Sequence, residues 1–116
     1  MISDSISATE IRLHKDKKTL LVQFNDGCRA QLSAELLRVE SPSAEVQGHS
    51  VKEKQVIREK QNVKIIGIEY VGNYAVRLLF DDGHEAGIYS WFLLYDYGLR
   101  QKALYAEYER NINLEV

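Results

Sequence analysis

Apolar and polar residues alternate along "TEIRLH" (residues 9–14), and "TLLVQF" (19–24) is rich in strand formers, with the polar "KDKK" between them as a turn. After "NDG" the chain alternates again in "CRAQL" (28–32). "SAELLR" then offers a capping serine and a short helix. Residues 63–71, 74–80 and 84–89 carry the same strand pattern, and "SWFLLYDY" starts on a second capping serine. Each half of the chain thus reads as three strands and a helix. The fold class expected from this order is α+β: a small, mostly antiparallel sheet built from two β-β-β-α halves, with C-terminal helices packed on it.

The halves align. Phe24 and Phe80 are separated by 80 − 24 = 56 positions, and at that offset Asp26, Gly27, Ala30 and Leu37 fall on Asp82, Gly83, Ala86 and Leu93. Leu20 matches Val76, Val22 matches Leu78, and Leu32 matches Ile88. Internal duplication and two hairpins that merely share a turn code are both consistent with this.

Loop length follows from asking which register puts the apolar residues on one face. A two-residue Asp-Gly loop would pair Phe24 with Arg29 and Val22 with Gln31, mixing polarity. A three-residue loop with Gly27 left-handed pairs Phe24 with Cys28, Val22 with Ala30 and Leu20 with Leu32. The same choice in the second hairpin pairs Phe80 with His84, Leu78 with Ala86 and Val76 with Ile88. Cys28 and His84 are therefore expected to face the apolar side, each at the turn end of its hairpin.

Residues 39–62 contain the only proline, Pro42, and show no clean period, although "VKEKQVIREK" has room for a helical turn. Gly98 interrupts the C-terminal pattern, so two helices are expected, over about 90–97 and 99–111, with Leu104, Tyr105, Tyr108 and Ile112 on one stripe.

A length of 116 residues suits one domain. At 45% hydrophobic and 28% charged the composition is that of a globular chain, and a net charge of −2 supplies no field for collecting phosphate backbones, so nucleic acid is not an expected partner. One cysteine, Cys28, allows no intramolecular disulfide and fits a reducing cytoplasm. No apolar run approaches the roughly 18 residues of a membrane span, and "MISDSISATE" lacks the pattern of an export signal, so neither membrane nor secretion is expected.

Phosphate-cradling glycine loops, nucleophile elbows and His-Glu-x-x-His helices are absent. Asp81 and Asp82 alternate across a strand running into a turn, so they point apart and read as turn residues rather than an acid/base pair. His84 has three readings: a half-buried, hydrogen-bonded histidine at a hairpin end, a binding-surface residue, or a metal ligand or catalytic base. Cys28 reads as a small inward hydrophobe. Tyr89, Trp91, Phe92, Tyr95 and Tyr97 form an aromatic cluster that helical spacing cannot bury entirely. Its exposed part, with His84, Tyr89, Trp91 and Tyr95 as candidates, would make a partner site.

"LLRVESPSAEVQGH", "VGNYAVRLLFDDGHEAGIYSW" and "LLYDYG" resemble the gamma-butyrobetaine hydroxylase-like N-terminal domain, over about residues 8–108. The resemblance implies small stand-alone bacterial relatives of unknown function. It also implies related domains at the head of carnitine-pathway dioxygenases, where Cys-Pro-Cys-x-x-Cys and a later histidine hold structural zinc, and fusions to iron-sulfur carriers. Carried onto this chain, the zinc positions fall on Ser41, Ser43, Val46 and His84. A serine hydroxyl and a valine are not zinc ligands, so hydrogen bonds from Ser41 and Ser43, with Pro42 limiting the backbone, are expected to hold the crossing segment near His84 instead. A rebuilt site would have to draw on Cys28, Glu45, His49 and His84.

The expected function is a non-catalytic binding or adaptor domain without a cofactor, acting through a protein partner of the iron-sulfur or dioxygenase type that the resemblance implies. The alternative is a metal-binding domain serving iron-sulfur or metal traffic. A small enzyme using His84 ranks last, since no nucleophile or second acid can be placed beside it. Dioxygenase activity is not expected, because it belongs to a separate catalytic domain.

Overall fold

A computed structural model describes residues 6–42 and 60–114, with side chains given as far as residue 111. The expected helical turn at "VKEKQVIREK" lies almost wholly outside the described residues, as do Ser43, Glu45, Val46 and His49. Strands β1 (Ala8–Leu13), β2 (Thr19–Phe24) and β3 (Arg29–Ser33) are followed by helix α1 (Ala34–Val39). Strands β4 (Ile65–Val71), β5 (Ala75–Phe80) and β6 (Ile88–Ser90) are followed by helix α2 (Trp91–Leu114). The α+β architecture and the two β-β-β-α halves are as expected, but the strands form two antiparallel three-stranded sheets, ordered β1-β2-β3 and β4-β5-β6.

The alternation seen in the sequence becomes the core. Leu20, Val22, Phe24, Ala30 and Leu32 face inward from the first sheet, and Val76, Leu78, Phe80 and Tyr89 from the second. Leu36, Leu37, Leu94, Tyr97 and Leu104 meet them from the helices. Both helices begin as the capping serines predict: Ser33 Oγ accepts from Leu36 N at 3.0 Å and Ser90 Oγ from Leu93 N at 3.1 Å, each satisfying an amide of the first turn.

The first hairpin has the predicted register, with Leu20 opposite Leu32 and Val22 opposite Ala30. The amide of Phe24 bonds the carbonyl of Cys28 at 2.9 Å and that of Gly27 bonds Phe24 at 3.0 Å. In the second hairpin the turn is the same, Phe80 N to His84 O at 3.0 Å, but the strands beyond it are not. Val76 lies opposite Tyr89, and Arg77 opposite Ile88, one residue off the expected pairing. Residues 84–87 hold one more residue than their counterparts, which flips the parity of β6. Tyr89 is fully buried and Ile88 is 46% exposed. The offset between halves is accordingly 56 up to the turn and 57 from Ser33 and Ser90 onward, so that Leu37 corresponds to Leu94 rather than Leu93.

Gly27 and Gly83 have φ of +90° and +93°, the left-handed conformation a three-residue loop requires. A Cβ at either position would meet nothing within 4 Å, so only backbone strain opposes alanine there. Gly27→Ala and Gly83→Ala are each expected to cost about 1 kcal/mol in urea denaturation, and an unchanged midpoint would contradict the strain argument.

Gly98 does not divide the C-terminal segment: α2 runs unbroken through it. A Cβ at that position would stand 2.9 Å from the Cβ of Ala30, so the glycine lets the helix cross close over β3. Downstream three members of the expected stripe are in place, with Leu104 and Tyr108 buried and Tyr105 half-buried, and the side chain of Ile112 lies outside those described. No helix among the described residues is long and apolar enough to cross a membrane.

Candidate functional site

The pseudo-repeat places a turn carboxylate at the head of each hairpin, and each serves first as a local brace. Asp26 Oδ1 accepts from the amide of Cys28 at 2.9 Å, and Asp82 Oδ1 accepts from the amide of His84 at 3.1 Å. The preceding residues tie the turns to the edge strands in matching fashion. Asn25 Oδ1 receives Ser7 N at 3.2 Å, and Asp81 Oδ1 receives Lys64 N at 3.0 Å. Asp81 and Asp82 thus point apart, as expected of turn residues.

The second oxygen of each carboxylate reaches across the molecule. Asp26 Oδ2 accepts the Tyr95 hydroxyl from α2 at 2.6 Å. Asp82 Oδ2 accepts Arg38 Nε from α1 at 2.8 Å and pairs with Lys60 Nζ at 2.7 Å. The helix following each half therefore fastens the turn of the other. Burial opposes ionisation of Asp82, but the hydrogen bonds from Lys60, the His84 amide and Arg38 outweigh it and hold its carboxyl down at about 2. The Tyr95 hydrogen bond lowers the Asp26 carboxyl and, reciprocally, raises the Tyr95 phenol.

His84 is buried, at 6% exposure, and its Nε2 is hydrogen-bonded at 2.9 Å to Oγ of Ser41, which is fully buried. Ser41 stands two residues past α1, and its position is fixed by tyrosine hydroxyls that tie down the end of that helix. Tyr89 donates to the Leu37 carbonyl at 2.5 Å and Tyr97 to the Glu40 carbonyl at 2.6 Å. Burial raises both phenols, so each remains a donor through the neutral range. Gly87 completes the enclosure: a Cβ there would lie 2.6 Å from Ser41 Oγ and 3.0 Å from the Tyr89 ring.

Cys28 departs from the expected inward position. Its residue is exposed, with the thiol 3.6 Å from the Tyr95 hydroxyl. The two turns have the same register, but the chain after α1 covers His84, whereas α2 continues past the first turn and leaves Cys28 at the rim. Of the four side chains expected at a binding surface, His84, Tyr89 and Trp91 are buried, and only Tyr95 reaches the surface, half-buried against Phe24. The exposed aromatics are Tyr70, Tyr74 and Phe92.

Sequence reasoning brought Ser41 to His84 only through the family resemblance; it missed Arg38 and Lys60, and it placed Tyr97 in the aromatic cluster without its bond to the Glu40 carbonyl. The repeat held the one available signal: a donor from the opposite helix is needed at each turn carboxylate. Among the described residues no group of three or more His, Cys, Asp or Glu side chains is arranged to hold a metal ion. Where the zinc knot implied by the resemblance would sit, the imidazole nitrogen faces a serine hydroxyl at hydrogen-bond distance. A hydroxyl there does not fit a zinc ligand set.

Residues 11–95 match the family model described as gamma-butyrobetaine hydroxylase-like, N-terminal. Two proteins solved in solution by NMR are similar over nearly the whole chain. One is 43% identical, covering 97% of this chain and 84% of its own, with a TM-score of 0.84. The other is 41% identical, covering 92% and 84%, with a TM-score of 0.78. A crystal structure of a protein of unknown function of the DUF971 family, from Acidithiobacillus ferrooxidans, is 35% identical over 76% of this chain and 88% of that one, with a TM-score of 0.63. No curated protein matches the chain.

Proposed function

The chain belongs to the gamma-butyrobetaine hydroxylase-like N-terminal family, and from that membership we propose that it is a non-catalytic binding or adaptor domain that acts through a protein partner. The observation that carries the reading is the buried Ser41–His84 hydrogen bond. It occupies the imidazole nitrogen that a metal or a substrate proton would use, and converts the family's ligand position into a structural tie. Asp82, the acid beside it, is an ionised turn brace held by Arg38 and Lys60. Ser41 and His84 are both buried, and the oxygens of Asp82 already accept from Arg38, Lys60 and the His84 amide, so neither group is turned toward a substrate.

The partner is inferred from the fusions that the resemblance implies: a protein of the iron-sulfur or dioxygenase type, met in the cytoplasm. Metal traffic is the competing reading, and the two differ in one measurable quantity. Protein purified without chelators and measured by elemental analysis is expected to carry far less than one zinc or iron per chain, and zinc added to the apoprotein is expected to leave its melting temperature unchanged. Stoichiometric metal that is lost in His84→Ala would overturn the adaptor reading in favour of the metal-binding one. Affinity capture from native lysate, with mass spectrometry, then identifies the partner; recovery of the protein alone at every salt concentration would count against the proposal.

A further inference from the structure

Two three-stranded sheets have four edges, and three of them are closed to further pairing by different means. The outer backbone of β3 is covered by a side chain that imitates a strand: Gln101 on α2 donates from Nε2 to the Gln31 carbonyl at 2.8 Å and accepts the Ser33 amide at Oε1 at 3.3 Å. The β6 edge is only three residues long. The β1 edge carries the exposed charges of Glu10 and Arg12, in contact with each other, on either side of half-buried Ile11. Short strands, charges and covering groups are the usual ways in which edges are kept from pairing with other chains.

Among the described residues the β4 edge has none of these beyond its first position, where the amide of Ile65 donates to the Lys17 carbonyl at 2.8 Å. It is seven residues long, "IIGIEYV", with one charged residue, Glu69, whose carboxylate is taken by Arg77 of the neighbouring strand β5. Ile66 and Tyr70 are 56% and 66% exposed. An apolar strand left open over residues 66–71 is a template for strand addition.

We propose that β4 is the seam of a two-fold dimer, in which a second copy of the chain lays its own β4 antiparallel against this one with Ile68 on the axis. The occupant follows from self-complementarity. In that register residue numbers across the seam sum to 136, so exposed Ile66 faces exposed Tyr70 of the second copy. Glu69 faces Gly67, which has no side chain to oppose it. No charge meets its like directly, and each Glu69 keeps its own Arg77 as counter-ion. A two-fold contact must match one surface with itself, and this strand does so. Joining the two copies turns a pair of three-stranded sheets into one of six strands. The seam is one strand wide, which places it among small, reversible interfaces rather than obligate ones. This inference stands apart from the adaptor reading and uses none of its residues.

Sedimentation velocity between about 10 µM and about 1 mM is the test, a span suited to interfaces of this class. The weight-average mass is expected to climb toward twice the monomer mass, and a mixed isotope-labelled sample to show intermolecular contacts between the Ile66 and Tyr70 side chains. Ile66→Lys, at an exposed position outside the core, is expected to return the protein to monomer with its amide NMR spectrum otherwise preserved, and Ile66→Lys with Tyr70→Lys to do so at every concentration. A wild-type protein that stays monomeric through this range would overturn the proposal. So would a dimer that survives in the double variant.

Discussion

Tyr89→Ala is expected to cost about 3–5 kcal/mol in chemical denaturation, whereas Ile88→Ala, one residue earlier, should stay within about 1 kcal/mol. The contrast rests on the extra residue in 84–87. That residue turns Tyr89 into the core between α1 and α2 and turns Ile88 out to solvent, where it is 46% exposed. The tyrosine fills a fully buried position and its hydroxyl caps the Leu37 carbonyl. Tyr89→Phe separates the two contributions: the ring remains, and about 1–2 kcal/mol should be lost from leaving that carbonyl unpaired. Domains of this size are stable by only about 5–15 kcal/mol, so the alanine variant should be near the limit of folding. If Ile88→Ala proves the more damaging change, β6 has the other parity and the account of the second hairpin fails.

Asp82→Ala is the second large effect, with an expected cost of about 2–4 kcal/mol. Its carboxylate accepts from Arg38, Lys60 and the His84 amide at once, and the Arg38 side chain is only 12% exposed. Arg38 Nη1 is already a buried nitrogen without a hydrogen-bond partner among the described residues, so removing the carboxylate strands a largely desolvated guanidinium. Solvent reaches part of the cluster, which puts the cost below that of a fully buried pair. The pH dependence has a definite sign. The folded carboxyl sits at about 2 against an ordinary 3.8, so its stabilisation is fully present above about pH 4 and is lost as pH falls through 2. Discounted for screening, this amounts to about 1–2 kcal/mol. Urea midpoints measured from pH 7 down to pH 2 should therefore converge for wild type and Asp82→Asn at the acid end. Parallel profiles would mean that the turn carboxylate has no special partners.

Much of this architecture was legible before any coordinates. Strand alternation, both capping serines, the left-handed glycines and the inward face of His84 follow from local rules that the tertiary structure leaves in force. What the sequence hid were events in which a distant residue decides between two locally equal readings. Ile88 and Tyr89 are both good strand residues, and a single inserted position chooses between them without leaving a mark in composition. Gly98 reads as a helix end until Ala30 is seen beneath it, where a glycine is needed for contact rather than for termination. Cys28 occupies the same turn position as His84 and differs only in what the opposite half lays over it. The closing of the Ser41–His84 pair depends on Tyr89 and Tyr97 anchoring the end of α1, 52 and 57 residues away in sequence.

The crossed fastening of the two turns has a consequence for folding. Because Tyr95 holds Asp26 and Arg38 holds Asp82, neither three-strand-and-helix unit contains the helix side chain that reaches across to its own hairpin turn. A chain cut into its two repeats would yield fragments that each lack a clasp, and association of the two pieces would restore both together. Loss of structure should accordingly propagate from one repeat to the other in a single cooperative step, with no stable half-molecule along the way.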